Sequence, residues 1–210
     1  MSEIIDFFLE AYQTASALDI TLEAIAFVFG IASVVYAKKE NILVYPTGII
    51  ATVITVYLLY KAGYFGDMMM NFYYSVMSIY GWWNWSRKKE NKYIVPISRT
   101  NLQEKGVGFF LFVLTMIVTY SVYRFYGQEI ETENYIDIFT SGVFFTAMWY
   151  MANKKIENWT LWIFADIITV PLYAYRGLGM LSLQYLIFTI LAIQGYLAWK
   201  KTLDKNPSTS

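Results

Sequence analysis

The chain contains no cysteine and no histidine. Disulfides, thiol nucleophiles, imidazole bases and the usual zinc ligands are therefore excluded, and a metal would have to be held by carboxylates alone. Charge is scarce as well. Only 15% of the 210 residues are Asp, Glu, Lys or Arg, against about 25% in an average soluble domain. Residues 1–19 carry acids but no Lys or Arg, so the basic start of a cleavable signal peptide is missing. No G-x-x-x-x-G-K-[ST] loop occurs, which removes the common ATP site. No cofactor is indicated.

What is abundant is apolar surface. Hydrophobic residues make up 57% of the chain and aromatics 20%. Seven runs, roughly 22–37, 43–60, 68–86, 107–126, 135–152, 159–175 and 180–199, approach the twenty or so residues needed to cross hydrocarbon. They are continuous and do not alternate as barrel strands do, so each is expected to be a helix that satisfies its own backbone in lipid. The expected architecture is an all-α integral membrane protein in which two parallel three-helix repeats flank a linking helix (3+1+3). Its parts are an amphipathic N-terminal segment (1–20), the first repeat (21–89), a cytoplasmic loop with the linking helix (90–127), the second repeat (128–201) and a tail (202–210).

Basic residues alternate between sides. Lys38 and Lys39, the stretch Arg87, Lys88, Lys89, Lys92, Arg99 and Lys105, Lys154 and Lys155, and Lys200, Lys201 and Lys205 all fall on one side. The other has Lys61, Arg124 and Arg176 among many acids. The positive-inside rule gives an outside N-terminus and a cytoplasmic C-terminus in the inner membrane, and reads the 87–105 stretch as a topology signal rather than a nucleic-acid site.

The repeat is read from residue identities. Lys38, Glu40, Asn41, Ile50, Thr52 and Val53 align without gaps on Lys155, Glu157, Asn158, Ile167, Thr169 and Val170. After a shift of one short turn, Gly63, Ile79, Gly81 and Trp85 align on Gly177, Ile193, Gly195 and Trp199. Parallel repeats of this kind occur in secondary transporters, with the substrate at the repeat interface near mid-membrane.

One acid lies deep inside a span. Asp166 costs at least about 2.5–3.5 kcal/mol at a helix centre on insertion scales, so it is expected to face a polar cavity, a cation or a hydroxyl of a neighbouring helix. Trp162, Asp166, Thr169 and Tyr173, spaced four, three and four, share one helix face. Aromatics around an acid suit a cationic heteroaromatic ring. Asn71 in the third span and Tyr185 and Gln194 in the seventh add amides and a hydroxyl suited to a sugar. The expected substrate-binding set is Asn71, Trp162, Asp166, Tyr173, Tyr185 and Gln194. Pro171 is expected to free a backbone carbonyl and kink its helix, and Pro46 with Gly48 to do the same at the start of the second span. Trp82, Trp83, Trp85 and Trp199 are expected in the interfacial aromatic belt.

The stretches SIYGWWNW (78–85), ENWTLWIFADIITV (157–170), YAYRGL (173–178) and LQYLIFTILAIQG (183–195) resemble the PnuC family of vitamin transporters. The resemblance implies a SWEET-like fold, facilitated diffusion of nicotinamide riboside, and trapping through a cytosolic kinase. Members often carry an amide at the place of Asp166, and relatives with thiamine or riboflavin as substrate keep those vitamins open as alternatives. A homo-oligomer is compatible with this reading. A membrane-embedded enzyme is disfavoured by the lack of paired acid/base groups or a nucleophile, and a receptor is the remaining rival.

Overall fold

The structure is a computed structural model that describes residues 15–62, 65–89, 92–93, 95–125, 132–175 and 179–205. Most of the expected amphipathic segment, and the outer-side residues Glu129, Glu131 and Arg176, lie outside these ranges. Seven helices are present among the described residues: α1 Ala17–Lys38, α2 Val44–Ala62, α3 Phe65–Ser86, α4 Leu102–Phe125, α5 Thr132–Ala152, α6 Glu157–Tyr175 and α7 Gly179–Lys205. A hairpin of two-residue strands, β1 Lys88–Lys89 and β2 Lys92–Tyr93, follows α3.

Four helices, α1, α2, α4 and α7, are long and apolar enough to cross a membrane on composition alone. The other three, α3, α5 and α6, carry the polar residues Ser75, Ser78, Asn84, Thr140, Thr146, Asn158, Asp166 and Thr169, all of them buried. Large apolar side chains point outward instead, among them Val53, Phe72, Ile79, Phe109, Ile117, Ile167 and Leu197. Polar groups inside and apolar groups outside reverse the soluble pattern, and that reversal is what a hydrocarbon solvent requires.

Six helices close a ring. Sequence neighbours pack as α1–α2–α3 and α5–α6–α7, and the two units meet where α3 packs on α5 and α7 on α1. Helix α4 stands outside the ring, packed mainly on α5. There Gly108 lets the Tyr150 ring lie against the α4 backbone, while Thr146 Oγ1 donates to the Gly108 carbonyl at 3.2 Å, a small-residue contact typical of membrane helices. An Asn101–Glu104 capping box opens α4, each residue's amide donating to the other's side chain at 2.9 Å. This contact pattern is consistent with the expected 3+1+3 arrangement.

The register of the repeat differs from the one read from identities. Asn41 N donates to Tyr36 O at 2.9 Å, and Lys155 N donates to Tyr150 O at the same distance. The bonds Glu40 N–Ala37 O and Lys154 N–Met151 O are both 3.0 Å. Among the described residues, Glu40 and Lys154 are the two non-glycine residues with positive φ, at 54° and 51°. Each of these pairs is separated by 114 residues, as are Gly81/Gly195 and Trp85/Trp199. The gap-free match of 38–53 on 155–170, a separation of 117, is therefore incorrect. It aligned membrane-facing Ile and Val, which recur without structural meaning. The turn geometry that fixes the register leaves little trace in residue identity.

One other expectation changes. Pro46 lies in the first turn of α2, where its missing N–H has no intrahelical partner to lose, so it does not break the helix. Helix α6 continues through Pro171, and the Ser182 hydroxyl of α7 donates to the Val170 carbonyl beside it at 2.9 Å.

Candidate functional site

The ring encloses a cavity of about 1080 Å³. Its mouth is lined by residues near the N-termini of α1, α3 and α5 and the C-termini of α2 and α6, including Asp19, Asp67, Asp137, Ala62 and Tyr175. Its floor is Ala37, Val44, Trp159 and Ala192, near the opposite helix ends. One end is thus open and the other closed.

Helix α6 supplies the centre. Asp166 is 2% exposed and lines the cavity, and its Oδ1 has no hydrogen-bond partner. Trp162, one turn earlier, sits between Phe144 (5.4 Å between centroids) and Tyr74 (6.0 Å). Tyr173, two turns later, meets Tyr185 at 5.2 Å, and Tyr185 in turn meets Phe144 at 5.9 Å and Phe188 at 6.1 Å. The i, i+4, i+11 spacing places the acid between two groups of rings. Asn71 also lines the cavity, with its Nδ2 donating to Asp67 O at 2.9 Å.

Asn71, Trp162, Asp166, Tyr173 and Tyr185 therefore share one cavity, as their helix-face spacing suggested. Gln194 does not join them. It is exposed and accepts a hydrogen bond from Lys38 Nζ at 2.8 Å, below the cavity floor. The lumen face of α7 runs through Gln184, Tyr185, Phe188 and Ala192, which leaves Gln194 beyond it, and an amide in a helix sequence gives no sign of which side of a floor it lies on. Thr169, assigned to the same face as Asp166, turns its hydroxyl back to Ala165 O at 2.9 Å. The sequence reading missed Phe144, an apolar residue with no distinguishing mark, and Ser33, a small hydroxyl that also lines the cavity.

The tryptophans divide into two groups. Trp83 is 60% exposed and Trp82 is exposed too, as an interfacial belt requires. Trp85 and Trp199 are not belt residues: they are 3% and 1% exposed and lie under the cavity floor. Tyr45 packs edge-on to Trp85 (5.1 Å, 86°), and Trp159 packs edge-on to Trp199 (5.5 Å, 89°). Both outer rings lie against a glycine, Gly81 and Gly195 respectively.

The family model described as nicotinamide mononucleotide transporter matches residues 20–201, nearly the whole chain. The chain belongs to the nicotinamide mononucleotide transporter family. It is accordingly a multi-pass membrane transporter of a small-molecule substrate. Among individual relatives, it is 22% identical over 201 residues to the nicotinamide riboside transporter PnuC of Escherichia coli K12, covering 85% of this chain and 84% of that one. Its identity to the protein of the same name from Neisseria mucosa is 26% over 200 residues, covering 90% and 75%. A crystal structure of the vitamin B3 transporter PnuC superposes with a TM-score of 0.71 over 96% of this chain and 90% of that one, at 24% identity. At that identity the superposition speaks for the fold.

Proposed function

We propose that the protein carries nicotinamide riboside into the cell across a bacterial inner membrane, with its N-terminus outside, by facilitated diffusion. One observation carries the substrate assignment: an unpartnered, buried carboxylate oxygen on Asp166 among stacked rings in the cavity. A buried carboxylate is costly without a partner, and a pyridinium ring supplies both the partner and an aromatic face for Trp162 and Tyr173. Asn71 and the Tyr185 hydroxyl are placed to meet ribose hydroxyls. Six acids and no Lys or Arg are found among the described lining residues, so the mouth attracts cations. Orientation follows the basic runs, which put the closed end and the α5–α6 connection in the cytoplasm. A cytosolic kinase that phosphorylates the product would draw the equilibrium inward. Association into a homo-oligomer would leave the pathway intact, because the cavity lies within one chain.

Asp166 is the one acid at mid-helix, and no chain of further acids leads from it to the closed end among the described lining residues. Without such a relay, proton coupling has no route. Proteoliposomes holding only this protein are expected to equilibrate nicotinamide riboside with the lumen and not to concentrate it. Accumulation above the external level that an ionophore abolishes would overturn facilitated diffusion. In binding titrations, nicotinamide riboside is expected to outcompete thiamine and riboflavin, and tighter binding of either would reassign the substrate.

Asp166→Asn tests the charge directly. The amide keeps shape and hydrogen bonding but removes an attraction of about 1–2 kcal/mol, so affinity for nicotinamide riboside should fall roughly 5–30-fold. The reduced, uncharged dihydro form should lose far less. Equal losses for the two ligands would refute charge recognition. Unchanged affinity for both, with altered thermal stability, would make Asp166 a packing residue.

A further inference from the structure

The constant separation of 114 residues locates an axis. Two residues related by a two-fold axis can touch only if they lie close to it. Trp85 and Trp199 are such equivalents, and their centroids are 6.0 Å apart. Glu40 and Lys154 are equivalents as well, and Lys154 Nζ lies 3.5 Å from Glu40 Oε2. Lys154 Nζ also sits 4.6 Å from the centroid of the Trp85 ring. The ion pair and the tryptophan pair are therefore stacked on one axis, directly beneath the floor that closes the cavity.

Ordinary packing does not ask for an ion here. Lys154 is 7% exposed, and burial lowers its ammonium pKa below the usual lysine range, with Glu40 only partly opposing the shift. Both residues occupy left-handed backbone positions at the connections between the first and second helices of their repeats. Glu40 and Lys154 have therefore been set by the same turn, one from each repeat, with opposite charges. At the open end, the equivalent pairs are Asp19 with Glu133 and Glu23 with Asp137, all acids lining the mouth.

We infer that the Glu40–Lys154 pair, seated on the Trp85–Trp199 pair, is the releasable latch of the cytoplasmic gate. Tilting of the two repeats away from each other, about a line perpendicular to their shared axis, would part the connections, break the ion pair and open the cavity floor on that side. An attraction between unlike charges at the closed end, where salt and water can compete once the turns separate, gives the closed state a margin that a substrate-driven closure of the mouth can overcome. This inference rests on the facilitated diffusion of the proposed function and on no particular substrate.

The absence of native cysteine makes the test clean. Ser78→Cys places a single thiol on the cavity wall in a near-isosteric replacement. In oriented proteoliposomes an impermeant thiol reagent is applied to one face and then to the other. The Ser78→Cys protein should react from the acidic-mouth face and scarcely from the face bearing the 87–105 loop. Adding Glu40→Gln, a conservative change at a partly exposed side chain, should raise the loop-face rate at least fivefold and lower the mouth-face rate. The reversed pair, Glu40→Lys with Lys154→Glu, should return both rates toward the parent, because symmetry then seats the lysine over Trp199 in place of Trp85. Rates within twofold of the parent for Glu40→Gln would overturn the latch, as would a reversed pair no better than the single variant. Since no substrate enters the measurement, a latch that behaves as stated would survive a failure to bind nicotinamide riboside, and the converse also holds.

Discussion

Nicotinamide mononucleotide is expected to bind at least about 100-fold more weakly than nicotinamide riboside, although the two differ only by a phosphate. The phosphate adds about −1.5 to −2 charges near neutral pH. Inside the cavity it would meet Asp67, Asp137 and Asp166, with no Lys or Arg among the described lining residues to receive it. One pair of like charges about 6 Å apart at an effective dielectric near 20 costs about 3 kcal/mol, which is already a factor of roughly 100 in affinity. The phosphate also gives up water and finds no cluster of donors in return. The pyridinium, in contrast, gains from the same acids that repel the phosphate. Competition calorimetry on the purified protein decides the matter: mononucleotide binding within tenfold of the riboside would mean that a basic group beyond the lining, such as Lys61 paired with Asp19 at the mouth, or a different pose, handles the anion. The same charge logic would favour the proposed trapping. A product phosphorylated in the cytoplasm would be a poor ligand from the inside, so the step that makes it useful also prevents its return.

The membrane class, the seven helices and several residues of the cavity wall were legible in the sequence, because lipid imposes strong one-dimensional rules. Run length marks the helices, and a lone acid in an apolar run marks a lumen. Trp162, Asp166 and Tyr173 were found together because the helical period is a local property. What failed needed information from two segments at once. Gln194 and Tyr185 lie on the same helix, yet Tyr185 is above the cavity floor and Gln194 below it, and the floor is made by Ala37, Val44 and Trp159 of other helices. Trp85 has the same amphipathic context as Trp82 and Trp83, but its packing partners Tyr45 and Trp199 come from distant segments. The repeat register was misread for a related reason: it is carried by a left-handed turn that Glu40 and Lys154 share in conformation but not in chemistry.

Gly195→Val should be among the most damaging single substitutions in the chain. A Cβ at position 195 would stand 2.6 Å from Trp159 Cη2 and 2.7 Å from two further atoms of the same ring, closer than real contacts allow. The ring has nowhere to go. Trp159 is fully buried, packs edge-on to Trp199, and forms part of the cavity floor. Trp199 is fixed in turn by its indole N–H, which donates to Ala37 O at 3.1 Å. Overpacking of this kind costs about 1–3 kcal/mol, and more where neighbours cannot yield. For a chain of this length that corresponds to a fall in melting temperature of roughly 2–12 °C, readable in detergent by intrinsic tryptophan fluorescence. Gly106→Ala is the internal control, since a Cβ there meets nothing within 4 Å, and it should melt with the parent. Pairing Gly195→Val with Trp159→Phe removes the colliding part of the ring, and the double variant should be more stable than Gly195→Val alone, a non-additive result that only direct contact produces. If Gly195→Val melts within about 1 °C of the parent, below the roughly 2–12 °C that 1–3 kcal/mol implies for a chain of this length, the ring of Trp159 does not lie on Gly195, and the tightly packed closed end would have to be redrawn.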